Sequence, residues 1–214
     1  MTYTMAQQSI EERLDIWHAE TGCTQHEQIS LREISFLTIC GVTLSVLVWI
    51  TSFLPSPAWI LVSLFLYVSV LTLASHIVPK FGVSIGITFI FSVGTFMLTD
   101  LGVVGWHKVL VLFLGAFFFE VVLVMSTKLP SPSFGMIIAA VVAAGSIPLL
   151  TALSLSPSLA LTLPIPLLNL ILFAALIGLA SGICMSITWI WIRQMKPIVK
   201  LRGYMGTLVE SVFS

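Results

Sequence analysis

Charge is what this sequence has least of. Only 8% of its 214 residues are Asp, Glu, Lys or Arg, nine of each sign, against 58% hydrophobic residues, whereas a soluble domain carries about 25% charged residues. Between Ile34 and Ile192 the charged positions are Lys80, Asp100, Lys108, Glu120 and Lys128 and no others. That is too little to coat a water-facing surface, so lipid is the expected solvent. A formal net charge of zero, with no basic stripe before the C-terminal tail, excludes a nucleic-acid surface that tracks phosphates. Cysteine is also scarce: Cys23, Cys40 and Cys184 show no paired spacing, so no disulfide framework is expected. Cys23 and His26 lack a second pair at zinc-site spacing, and no metal is expected.

Catalytic signatures are missing too. Gly178-Leu179-Ala180-Ser181-Gly182 has Leu179 where an intramembrane serine nucleophile motif needs glycine, and the apolar runs hold no second acid beside Glu120 for an aspartyl dyad. There is no P-loop and no G-x-G-x-x-G after a strand. His76 and His107 fall near opposite ends of their runs, a poor pair for haem. The sequence therefore reads as a non-enzyme without a cofactor. The first thirty residues are polar and mixed in charge, unlike a cleavable signal, so the first apolar run is expected to be retained.

What is abundant is apolar sequence in blocks. Six runs of about 18 to 25 residues match the length that crosses a hydrocarbon core of about 30 Å: 34–54, 58–78, 81–99, 108–127, 134–155 and 164–192. Pro55-Ser56-Pro57 and Pro79-Lys80-Phe81-Gly82 are reversals. The fold class is all-α, a polytopic six-helix transmembrane bundle spanning 31–193. It is preceded by a segment, 1–30, and followed by a tail, 194–214. Ser9-Ile10-Glu11-Glu12 and Ser30-Leu31-Arg32-Glu33 have capping-box spacing. The first opens a short amphipathic helix with Ile10, Leu14 and Trp17 on one stripe. Pro148 should kink the fifth span. With six spans, Arg13, Arg32, Lys80, Lys128, Arg193, Lys196, Lys200 and Arg202 share one side and Lys108 lies opposite, which puts both termini in the cytoplasm of a multi-pass cell-membrane protein.

Few residues carry chemistry. Glu120, about thirteen residues into span four, either faces a cavity or is a protonated acid bonded to a neighbouring helix. Asp100, Trp106 and His107 cluster at the outer ends of spans three and four, with Trp59 at the outer start of span two and Asn169 two turns into span six. They either line an outward pocket between spans three, four and six or form an interfacial belt with a solvated loop. Small residues make two seams, Gly41 with Ser45, and Ala174, Gly178 and Gly182. Such seams serve internal packing or a partner subunit.

The stretches Leu31-Arg32-Glu33-Ile34, Val78-Pro79-Lys80-Phe81-Gly82 and Leu114-Gly115-Ala116-Phe117-Phe118-Phe119-Glu120, in this order across six spans, resemble the substrate-binding S component of energy-coupling-factor transporters. The resemblance covers about residues 30 to 200. It implies a six-helix module that captures a vitamin or related small molecule, partnered by a transmembrane coupling subunit and two ATPase subunits. It also implies that the turn at Leu54-Pro55-Ser56-Pro57 belongs to the lid over the ligand. The family's alanine-x-x-x-alanine docking face on span one is replaced here by Gly41-Val42-Thr43-Leu44-Ser45. The alternative reading is a non-transporting accessory or assembly subunit of a membrane complex.

The charge distribution makes a direct prediction. In a cysteine-free background, cysteines placed at Lys128 and Arg202 should both resist a membrane-impermeant thiol reagent applied outside the cell, and one at His107 should react. Labelling of Lys128 and Arg202 from opposite sides would break the six-span reading.

Overall fold

The computed structural model describes residues 31–55, 58–99, 101, 104–126, 132–155 and 164–194. The expected amphipathic helix that begins at Ser9, together with Ser30, Asp100, Lys128 and residues 195–214, lies outside them. Six α-helices are seen among the described residues: α1 Leu31–Thr51, α2 Ala58–Ile77, α3 Val83–Gly94, α4 Gly105–Ser126, α5 Pro132–Leu155 and α6 Pro164–Gln194. There is no strand among the described residues.

Five of the helices are long and apolar enough to cross a membrane; α3 is the exception. At 12 residues it rises about 18 Å, short of the core thickness of about 30 Å. The span expected over 81–99 is thus cut at both ends. Gly82 takes a left-handed φ of 95° as the N-cap, a conformation that glycine adopts without strain. At the other end the helix stops at Gly94, and the described residues between it and the helix that starts at Gly105 are non-helical.

The ends of the bundle are named here from α1: proximal where it begins, distal where it ends. Contacts between serines and between Tyr67 and Thr88 fix the registers. Ser75 pairs with Ser84 at 3.3 Å and Tyr67 with Thr88 at 3.1 Å, so α2 and α3 are antiparallel. Ser69 pairs with Ser181 at 2.9 Å and His76 stacks on Trp189, so α2 and α6 are parallel. The helix α2 runs through the middle, touching α1, α3, α5 and α6, while the others follow in the order α1, α3, α4, α5, α6 around it. Accordingly α2 contributes Leu64, Tyr67, Val68 and Leu71 to the core, beside Leu44 of α1, Phe91 of α3, Leu112 and Phe119 of α4 and Ala140 and Ala144 of α5.

Without a hydrophobic force between helices in lipid, close backbone approach has to supply the packing energy. The two small-residue seams do this within the chain. A Cβ on Gly178 would come within 2.5 Å of the Ala140 carbonyl oxygen and 2.8 Å of the Ala144 Cβ, and one on Gly182 within 3.1 Å of the Ile137 Cα. Ala174 is buried in the same α5–α6 contact region. A Cβ on Gly41 would come within 2.8 Å of Ile90, and Ser45 lies against Gly94. Gly41 and Ser45 thus pack against α3, and Ala174, Gly178 and Gly182 against α5. The helix α5 continues through Pro148.

These contacts rank the glycines. Gly178→Leu should cost about 2–3 kcal/mol of stability through overpacking, read as lost resistance to thermal aggregation in detergent. Gly145→Ala should be tolerated, because its nearest neighbour is the Ala175 side chain at 3.6 Å.

Candidate functional site

A helix end in an apolar setting leaves amides or carbonyls that must find partners inside the protein. At the proximal end of α3 the partner is Glu120. One carboxylate oxygen accepts the Gly82 amide at 2.8 Å, and the other accepts those of Ser84 at 2.8 Å and Ile85 at 3.3 Å. Glu120 is buried, and the turn-plus-helix amides around it form a cradle suited to an anion.

The distal end of α3 has the opposite partner. Lys108 is fully buried; its ammonium donates to the carbonyl oxygens of Thr95 at 2.7 Å and Leu98 at 3.4 Å. It also lies 5.5 Å from the centroid of the Phe91 ring, a favourable placement for a cation. The Trp49 indole N–H donates to the Gly94 carbonyl at 3.2 Å, and the Gly105 amide donates to Phe96 at 3.0 Å. Carboxylate at the amino end and ammonium at the carboxyl end both complement the helix dipole. Lys108 and Glu120 are twelve residues apart on α4, a rise of about 18 Å, which equals the length of the antiparallel α3 between them.

A third charged contact closes the proximal end. Lys80 Nζ lies 3.0 Å and 3.1 Å from the two carboxylate oxygens of Glu33. Glu33, read from sequence as half of a capping box, therefore ties the start of α1 to the α2–α3 turn. Together the Glu33–Lys80 and Gly82–Glu120 contacts link the three stretches 31–34, 78–82 and 114–120 into one cluster, although they are far apart in sequence.

The remaining sequence candidates divide. Trp106 is exposed, its ring edge-on to Phe96 at 5.6 Å, and His107 beside it is exposed. Trp59 turns its indole nitrogen into the protein, where it is buried without a partner among the described residues. Asn169 lies elsewhere: it is exposed on α6, and α6 packs on α5 and α2. Among the described residues α6 packs on α5 and α2, which stand between it and α3 and α4. A groove of about 330 Å³ does run along the α2–α6 seam, but Leu61, Phe65, Phe173 and Leu176 line it with apolar side chains, which offer nothing to orient a ligand.

No family model, no curated protein and no solved structure matches the chain. Among the described residues no three His, Cys, Asp or Glu side chains converge as metal ligands.

Sequence reasoning had missed the role of Lys108, read only as the first residue of span four and the one basic residue on the outer side, and the buried polar groups of α2. A usable signal was present in the spacing of Lys108 and Glu120, the only charges in the fourth apolar run, and in Trp59, Ser63 and Tyr67 at four-residue intervals.

The charged contacts should differ in strength. Glu120→Ala strands three buried amides and should cost roughly 3 kcal/mol or more. Lys80→Ala breaks a partly exposed pair and should cost about 1 kcal/mol or less. Denaturation of the purified variants in mixed micelles reads both, and equal losses would contradict this ranking.

Proposed function

We propose that the chain is a small-molecule capture module of the cell membrane, of the S-component type, with its binding site at the distal end, facing outward, and both termini in the cytoplasm. The observation that carries this reading is the short α3. Because the helix stops at Gly94, the described residues that follow are non-helical, and Thr95 and Leu101 among them are buried. Non-helical backbone at membrane depth is tolerated where protein buries it or where it lines a cavity, and interrupted helices commonly mark binding sites in transporters. Trp106 and His107 stand at the rim of this region, and Asp100 falls in the same connection.

The clustering of the three stretches that resemble the S components gives further support. They form the structural base of the module at the proximal end, on the opposite side from the capture site. Glu120 belongs to that base: its two oxygens hold α3 and so support the distal region without touching the captured molecule. Release would be driven by a coupling subunit with ATPase subunits, since the chain has no nucleotide motif of its own.

Mass spectrometry of extracts from the detergent-purified chain tests this directly. A small molecule in near-stoichiometric amount is expected, and Trp106→Ala should reduce its retention about tenfold. A stoichiometric protein partner with no small molecule would replace the capture reading with that of an accessory subunit.

A further inference from the structure

Three polar side-chain atoms near the distal end are buried without a hydrogen-bond partner among the described residues: Trp59 Nε1, Ser63 Oγ and Thr151 Oγ1. Buried polar groups are nearly always paired, so a local group of exceptions calls for a physical cause. Ser63 is fully buried, and an orphaned hydroxyl in an apolar setting is costly to keep. A fourth such atom, Ser186 Oγ, belongs to the proximal half of α6 and is not part of the group.

The registers place the three within about two turns of one another along the bundle. Tyr67 is the reference, because its hydroxyl donates to the Leu112 carbonyl at 3.2 Å and pairs with Thr88. One turn distal on α2 is Ser63, level with Ser92 of antiparallel α3 and with Lys108 of parallel α4. A further turn brings Trp59 level with Phe96, the ring that meets Trp106. On α5, Ile147 lies against Gly115 of α4, so Thr151, one turn distal, is level with Val111. The facing stripe of α3 is also polar: Thr88, Ser92 and Thr95 are buried, and the hydroxyls of Ser92 and Thr95 donate to the Thr88 and Phe91 carbonyls.

We infer that Trp59, Ser63 and Thr151 are the hydrogen-bonding contacts of a bound small molecule, held between α2, α3, α4 and α5 with Trp106 at its mouth. This deepens the capture reading and rests on it. The chemistry narrows the ligand. The indole N–H only donates and the two hydroxyls donate or accept, so the molecule presents at least two hydrogen-bond acceptors. None of the three carries a charge, and the nearby Lys108 ammonium is directed to the Thr95 and Leu98 carbonyls, so the part held here is uncharged. Trp59 to Tyr67 covers about 12 Å of helix, the length of a compact molecule of one or two rings with a short substituent. The α2–α6 groove, with no polar lining, is not part of the site.

The test compares the full-length chain with Ser63→Ala, Thr151→Val and their combination, each purified in detergent. The compound extracted from the wild type is measured by mass spectrometry, and thermal stability is measured alongside. The double variant should retain at least about tenfold less compound with its melting temperature unchanged or raised, since removing an unpaired buried hydroxyl does not weaken the fold. A melting temperature that falls, with retention unchanged, would mean that the hydroxyls are structural and would overturn the inference. Equal retention with unchanged stability would also overturn it, while leaving the capture reading in place.

If the wild type retains no compound, the capture reading fails, and access to the three unpaired polar atoms is judged by a second probe. Ser63→Cys in a cysteine-free background is treated with 2-aminoethyl methanethiosulfonate, a small water-borne reagent. Modification supports a site that polar solutes reach, and an unreactive thiol overturns the inference.

Discussion

A helix too short for the bilayer must have its ends satisfied by the protein that surrounds it, and in this chain one neighbouring helix does so at both ends. The helix α4 presents Glu120 to the first amides of α3 and Lys108 to the carbonyls that follow its last turn. Burying either charge alone would be unfavourable by several kcal/mol. Here each meets backbone groups of opposite polarity, with the helix dipole aligned to both. The spacing of the two charges along α4 sets the length of α3 and its depth beside α4.

Much of the bundle follows from that fixed position. The Tyr67 hydroxyl reaches both α3 and α4, the seam of Gly41 and Ser45 closes on Ile90 and Gly94, and Trp49 adds a bond to the Gly94 carbonyl. On the other side of α2, α5 and α6 interlock through Gly178 and Gly182. The two halves do different physical work. Small residues hold α5 and α6 by close approach, whereas α3 is held by charge and hydrogen bonds. Polar atoms of α2 and α5 are left buried and unpaired at the distal end, and the proposed capture site uses them.

Most of the architecture was legible in the sequence, because a run of apolar residues long enough to cross lipid has few other solutions. Five of the six expected runs coincide with the observed helices to within a few residues, and the reversals at Pro55 and Pro79 fall between helices. The third run misled because hydropathy measures solvent preference and not helix length. Residues 95–99 are apolar enough to extend a span, yet the chain turns there and buries Thr95. The candidate site was only partly legible for a related reason. Position along a span gives depth but not azimuth, so Asn169 shared a level with Trp106 without sharing a face of the bundle. Ser63 and Thr151 are ordinary residues in apolar runs, and they stand out only once their neighbours are known.

Hydrogen–deuterium exchange of the α2–α3 turn and the first turn of α3 tests the bracketing of α3 most directly. In Glu120→Gln the carboxamide cannot replace two carboxylate oxygens as acceptor of three amides. Exchange at Gly82, Ser84 and Ile85 should therefore accelerate, while α5 and α6 keep wild-type protection. Unchanged exchange at these three amides would contradict the account, because it would mean that α3 holds its place without the charge that α4 supplies.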